Sequence, residues 1–105
     1  MIIVETPIST RQINRLLSSE NCRELQIASV DDPRRAPVIP RSGGLRKVRW
    51  EGSGRGKRGG IRAIYAWIPE RDWLLMLLAY SKNERDDLTP EQLRTLRRAV
   101  EEEFG

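Results

Sequence analysis

The chain has 105 residues, enough for one domain with a modest core, and its 38% hydrophobic and 32% charged residues describe a globular domain rather than a disordered chain. It holds one cysteine and no histidine, which excludes an internal disulfide and a zinc cage and leaves acid–base chemistry near neutral pH to Lys, Arg, Tyr or carboxylates. The net charge of +4 is unevenly placed: residues 41–62 carry eight cations against Glu51 alone, a local +7, whereas residues 1–40 balance and residues 63–105 are net acidic. Such a block is a directed field suited to a polyanion.

Ile2, Ile3 and Val4 form a β-branched run that predicts a first strand. The chain turns polar at Glu5, unlike a signal peptide. Thr6-Pro7 reads as an N-cap with proline at the first helical position, and Ile13, Leu16 and Leu17 mark one face of the helix that follows. A second helix is predicted over residues 20–30, with Cys22, Leu25 and Ala28 on one side and Asp31-Asp32-Pro33 ending it. Cys22 reads as a small, half-buried helix residue.

Residues 34–44 hold two prolines, Pro37 and Pro40, and Gly43-Gly44, which argues for an irregular connector. A strand follows at residues 45–50. Side chains alternate along it, so Lys47 and Arg49 share a face with Leu45, while Arg46, Val48 and Trp50 share the other. Cations at i and i+2 do not suit a core, so their face is expected to be open to solvent or ligand. A glycine-rich loop over residues 52–60 leads to a strand at residues 61–68, which Arg62 opens close to Lys47 and Arg49. Residues 69–72 predict a turn, and the apolar run at residues 73–80 a strand buried on both faces. That run is far short of the ~20 residues that span a bilayer, and a cytoplasmic location is expected. Thr89-Pro90-Glu91-Gln92 is a capping box opening a last helix with Leu93, Leu96, Val100 and Phe104 as its apolar stripe. The order β-α-α-β-β-β-α predicts a single α+β domain over residues 1–105, an antiparallel twisted sheet with its helices packed on one face.

Residues 54–59 match G-x-G-x-x-G, but a strand rather than a helix follows, so a dinucleotide site is rejected. A triphosphate-binding loop is rejected too, because Glu51 stands where its first glycine belongs and Arg58 replaces its Ser/Thr. What remains is a hairpin carrying Arg55, Lys57 and Arg58 between glycines. Glycine lets a backbone approach a phosphate, and the cations supply counter-charge; a solvated turn is the plainer alternative. Tyr80 and Lys82, at i and i+2, flank the same basic surface if the last strand pairs with the one before it. The Tyr80 ring then either stacks on a base or sits as an aromatic at the core's edge.

Three stretches, residues 43–50, residues 56–65 and residues 79–89 with its Tyr-x-Lys-Asn, resemble the HigB-type toxins of the RelE superfamily, as does the opening Val4-Glu5-Thr6-Pro7. The resemblance implies the RelE-like fold and a ribosome-dependent mRNA endoribonuclease acting in the ribosomal A site. It implies a neutralising antitoxin partner, with operator DNA reached only through that antitoxin. It assigns handling of the scissile phosphate to Lys47, Arg49 and Arg62, with Lys82 as a further basic residue. Asn83 stands where the family carries a catalytic Arg, the family's C-terminal Tyr has no counterpart, and the glycine loop is longer. Lys57, Arg58 and Lys82 are therefore candidates to stand in as acid or base.

The chemistry such a surface suits is transesterification. The RNA's own 2′-hydroxyl attacks the adjacent phosphorus and expels the 5′-oxygen, leaving a cyclic phosphate. No cofactor or metal is strictly needed; the protein aligns the hydroxyl and stabilises the added negative charge. Arg49 and Arg62 are the choice for charge stabilisation, Lys47 for general base and Lys82 for a supporting catalytic cation. Arg46, Arg55, Lys57, Arg58, Tyr80 and Asn83 are expected to bind RNA. The rival readings are an RNA- or ribosome-binding module without chemistry and a structural co-repressor. Neither requires a membrane.

Overall fold

Two central strands that bury both faces organise the domain. In the computed structural model, which describes residues 2–16, 19–50, 60–81 and 88–104, these are β3 (Ile61–Ile68) and β4 (Trp73–Ser81). The tight turn between them is a single 3₁₀ turn, Pro69–Arg71, closed by Asp72 at φ 55° donating its N–H to the Pro69 carbonyl at 3.1 Å. Antiparallel pairing runs on from β3 to β2 (Arg46–Trp50), and β1 (Ile2–Glu5) closes the other edge, giving the order β1-β4-β3-β2.

The three consecutive antiparallel strands are as the alternation predicts. The expectation of a wholly antiparallel sheet is corrected at one edge, where β1 lies parallel to β4 with Ile3 opposite Leu74 and Val4 opposite Leu75. A parallel neighbour needs a long connection, and the whole of residues 6–72 separates the two strands.

The helices are corrected as well: they cover both faces rather than one. On one face, Ile13 and Leu16 of α1 (Pro7–Leu16) and Leu25 of α2 (Ser19–Asp31) pack with Ala63, Tyr65, Leu74, Met76 and Ala79. On the other, Leu93 and Val100 of α3 (Pro90–Phe104) pack with Leu45, Ile64, Ala66, Leu75 and Leu77. The physical reason lies in β3 and β4 themselves, since both carry apolar side chains of both parities and neither face can be left wet.

Local chemistry sets the helix starts. The Thr6 hydroxyl oxygen accepts from Ser9 N–H at 3.0 Å and donates to the Leu77 carbonyl at 3.1 Å, capping α1 and tying it to β4. The Glu5 carboxylate accepts from Thr10 Oγ1 at 2.6 Å and from Gln26 Nε2, linking β1, α1 and α2. At α3, Gln92 N–H donates to Thr89 Oγ1 at 3.1 Å and Thr89 N–H to Gln92 Oε1 at 2.9 Å, completing the reciprocal box.

The connector over residues 34–44 has no helix, yet it is well tied. Ile39 N–H donates to the Leu45 carbonyl at 2.8 Å and Lys47 N–H to the Pro37 carbonyl at 3.2 Å, covering the outer edge of β2. The buried Ser42 hydroxyl donates to the Ile39 carbonyl at 2.6 Å and accepts from Leu45 N–H at 3.0 Å. Gly43, at φ +75°, sits where a Cβ would meet the Arg97 side chain of α3 at 3.0 Å. The turn thus delivers Leu45, fully buried, beneath α3.

Tyr65 is 1% exposed and donates its hydroxyl to the Pro33 carbonyl at 2.7 Å, joining β3 to the end of the helical pair. Burial pushes its phenol above the ordinary value, against the pull of the Arg46 guanidinium. Tyr65→Phe removes this bond and should cost about 1 kcal/mol in urea unfolding at neutral pH. A folded-state pKa raised above the unfolded one gives stability that is lost at alkaline pH. The deficit of the variant should therefore shrink above about pH 10; an unchanged or widening deficit counts against this account.

Candidate nucleic-acid interface

Strand register places the basic residues. Arg49 of β2 lies directly opposite Arg62 of β3, and Arg62 lies directly opposite Tyr80 of β4. Directly opposed residues share a face, so the three form one row across three strands. Lys47 stands two residues back on the same face, opposite Ile64. Leu45, Ile64 and Tyr80 belong to the core beneath α3, so the row lies on the α3 side of the sheet.

Exposure is graded along the row. Arg49 is exposed, Lys47 half-buried and Arg62 only 6% exposed. The expectation of an open cationic face therefore holds for Arg49, while Arg62 is corrected to a buried side chain: β3 is a central strand with neighbours on both edges and helices on both faces. Tyr80 is 5% exposed, so it sits largely in the core while bordering the cations. Lys47, Arg62 and Tyr80 are each engaged in interactions within the fold.

Like charges placed directly opposite across a ladder oppose pairing, and burying a guanidinium adds a desolvation cost. The one such pair, Arg49 opposite Arg62, makes this face a candidate anion site. Its chemical capacity is plain. The exposed Arg49 guanidinium offers a planar fork of donors to phosphate oxygens, and the Lys47 ammonium stands on the same face.

Arg46 falls on the opposite face, as the alternation requires. Its guanidinium donates to the carbonyls of Ala36 at 2.7 Å and Arg34 at 3.2 Å, where it clamps the connector. At the far end of β3 and β4, Arg34 stacks over Trp67 at 5.0 Å and Arg71 over Trp73 at 5.4 Å. These cations are taken up by aromatic rings away from the row.

Arg55, Lys57, Arg58, Lys82 and Asn83 lie outside the described residues. Trp50, Ile61 and Ser81 form the next row toward the sheet's end, so residues 51–59 follow β2 and residues 82–87 follow β4 from the end that carries Arg49, Arg62 and Tyr80. The strands flanking the glycine-rich stretch are antiparallel neighbours, which agrees with rejecting a βαβ dinucleotide site. Among the described residues no cluster of His, Cys, Asp and Glu fit for a metal ion occurs, and no helix is long and apolar enough to cross a membrane. Burial raises the Cys22 thiol above its ordinary value, with Glu5 adding to the effect, so it is no activated nucleophile.

What sequence reasoning missed is a cleft beside the row. It has a volume of about 230 Å³ and lies among Lys47, Ile64 and Tyr80 of the sheet, Ile39 and Pro40 of the connector, Leu88 just before α3 and Leu93 in its first turn. The one available signal was weak: an Ile-Pro pair and a Leu just before a capping box, both in stretches that read as loops.

No family model matches the sequence. The fold is similar to that of the E. coli toxin RelE. Against a mutant of that toxin in the free state, with two arginines replaced by alanine, the TM-score is 0.62 at 14% identity, over 91% of this chain and 95% of that chain. Against the toxin–antitoxin complex RelBE it is 0.52 at 16% identity, over 74% and 92%. Against the isolated toxin it is 0.50 at 15% identity, over 93% and 97%. The chain therefore has the α+β fold of RelE across nearly its whole length.

A cationic row that contacts phosphates has a measurable signature in salt. Each phosphate contact on single-stranded nucleic acid contributes about 0.7 to the slope of log affinity against log salt. Arg49→Ala should lower the slope for a short single-stranded RNA by about that amount, whereas Arg71→Ala should leave it unchanged; equal effects would detach binding from this face.

Proposed function

We propose that this chain is a RelE-type toxin, an endoribonuclease that cuts mRNA on the ribosome and is neutralised by a cognate antitoxin. The observation that carries the reading is the Arg49–Arg62–Tyr80 row, with Lys47 beside it, in a chain with the RelE fold. The resemblance of residues 43–50, 56–65 and 79–89 to HigB-type toxins points the same way. The solved RelBE complex is one of a toxin and an antitoxin; a protein partner of that kind is proposed here, with operator DNA reached through it.

RNA carries its own nucleophile. A bond forms between the 2′-oxygen and phosphorus while the bond to the 5′-oxygen breaks. Lys47 takes the 2′ proton, and a cation of the adjoining segments, Lys82 first among them, returns one to the departing oxygen. Arg49 and Arg62 hold the non-bridging oxygens as their charge grows. Donors aimed at developing charge are worth roughly 100-fold or more in rate each. The ribosome supplies what a small, shallow site lacks, a fixed and splayed codon.

Burial decides which variants test this cleanly. Removing Arg62 to alanine empties a buried site, so Arg62→Lys is the better variant, since it keeps the charge and loses the fork. Arg49, being exposed, can be cut to alanine. Expression without antitoxin should arrest growth and create new mRNA 5′ ends by primer extension. Arg49→Ala and Arg62→Lys should each lower the cutting roughly 100-fold while preserving the circular dichroism of the fold. Growth arrest without new ends would make the protein a binder that blocks translation; unimpaired growth would make it a co-repressor subunit.

A further inference from the structure

The cleft beside the row is apolar where a phosphate site would be polar. Ile64 and Tyr80 form its floor, Ile39 and Pro40 one wall, and Leu88 and Leu93 the other. Among the described residues Lys47 is its one charged lining residue, and it shares the sheet face of Arg49 and Arg62. Two residues along β2 separate Lys47 from Arg49, about 7 Å of strand. A phosphate on the arginines and a planar group in the cleft would therefore be joined across Lys47.

Pockets for drug-sized ligands run from about 300 to 1,000 Å³. At about 230 Å³ the cleft is smaller and suits a single heterocycle. Single-stranded RNA offers such a group next to every phosphate, and apolar and aromatic walls accept bases by their faces rather than by an edge code.

Resting on the reading of the protein as a ribonuclease, we propose that this cleft seats the base of the nucleotide on the 5′ side of the cut. With that base in the cleft and the scissile phosphate on Arg49 and Arg62, the ribose between them lies at Lys47. The attacking 2′-hydroxyl belongs to that ribose. The cleft is thus what aligns the nucleophile, and Ile39, Leu88 and Leu93 are specificity-determining residues. Preference through such walls follows stacking strength, so the cleft favours a purine over a pyrimidine at this position.

The test compares mapped mRNA 5′ ends from the wild-type protein and from Ile39→Trp, which fills the cleft from the connector and replaces none of the cations. Wild-type ends should show purines enriched on the 5′ side of the cut. The variant should cut roughly tenfold less and lose the enrichment. If the wild type makes no new ends, the ribonuclease reading itself falls. If both proteins cut with the same base distribution, that reading stands and the cleft proposal is overturned. A measurement on the wild-type protein guards against misfolding of the variant. Methyl resonances of Ile39, Ile64 and Leu93 should shift saturably with adenosine 3′-monophosphate, several-fold more weakly with uridine 3′-monophosphate, and not with inorganic phosphate. Equal responses to all three, or none, overturn the proposal; the latter leaves the cleft to an apolar side chain of a protein partner.

Discussion

The structure turns on the placement of Arg62. A guanidinium that is 6% exposed, on a central strand, directly opposite a second arginine, is an expensive thing for a domain of 105 residues to maintain. The stability of such domains is a small difference between large terms, so the surroundings must offset the cost. They do so with the interaction Arg62 makes within the fold and with apolar burial on both faces of β3 and β4. The flat end of that two-sided core is where the cationic row is mounted.

Mounting the row there makes it rigid. Arg62 and Tyr80 sit on the two central strands, and Arg62 is flanked by ladder partners on both sides, Arg49 and Tyr80. Arg49 is on an edge strand, but that edge is covered near its start by the connector. A site built on strands is held more closely than one on loops.

Much of this could be read from the chain because it rests on local rules. The helix starts at Thr6 and Thr89 follow from side-chain capping chemistry, and both caps form. The strand parity that groups Lys47 with Arg49 and sets Arg46 apart follows from alternation alone. What stayed illegible depends on contacts far apart in sequence. Nothing local says that β1 joins β4 in parallel. Nothing in the stripe of Leu93, Leu96 and Val100 says which face α3 covers, because β3 and β4 present apolar residues to both. Arg62 reads as a strand-opening cation like Arg49; its burial follows only from being central. The cleft escaped notice because two of its walls come from stretches that read as loops.

Parity also exposes how narrow the margin is. A shift of one residue in β2 would turn Lys47 and Arg49 toward α1 and α2 and swing Arg46 into the row. The register is held at both ends and from both sides. Leu45 is fully buried beneath α3, while Val48 and Trp50 pack against the opposite core. Arg46 is fastened to the carbonyls of Ala36 and Arg34, and the Lys47 amide to Pro37. One of the three cations of β2 is thus spent on structure, and it holds the parity that puts the other two on one face. That is why a connector that reads as featureless carries so many hydrogen bonds: it sets the parity on which the whole cationic face depends.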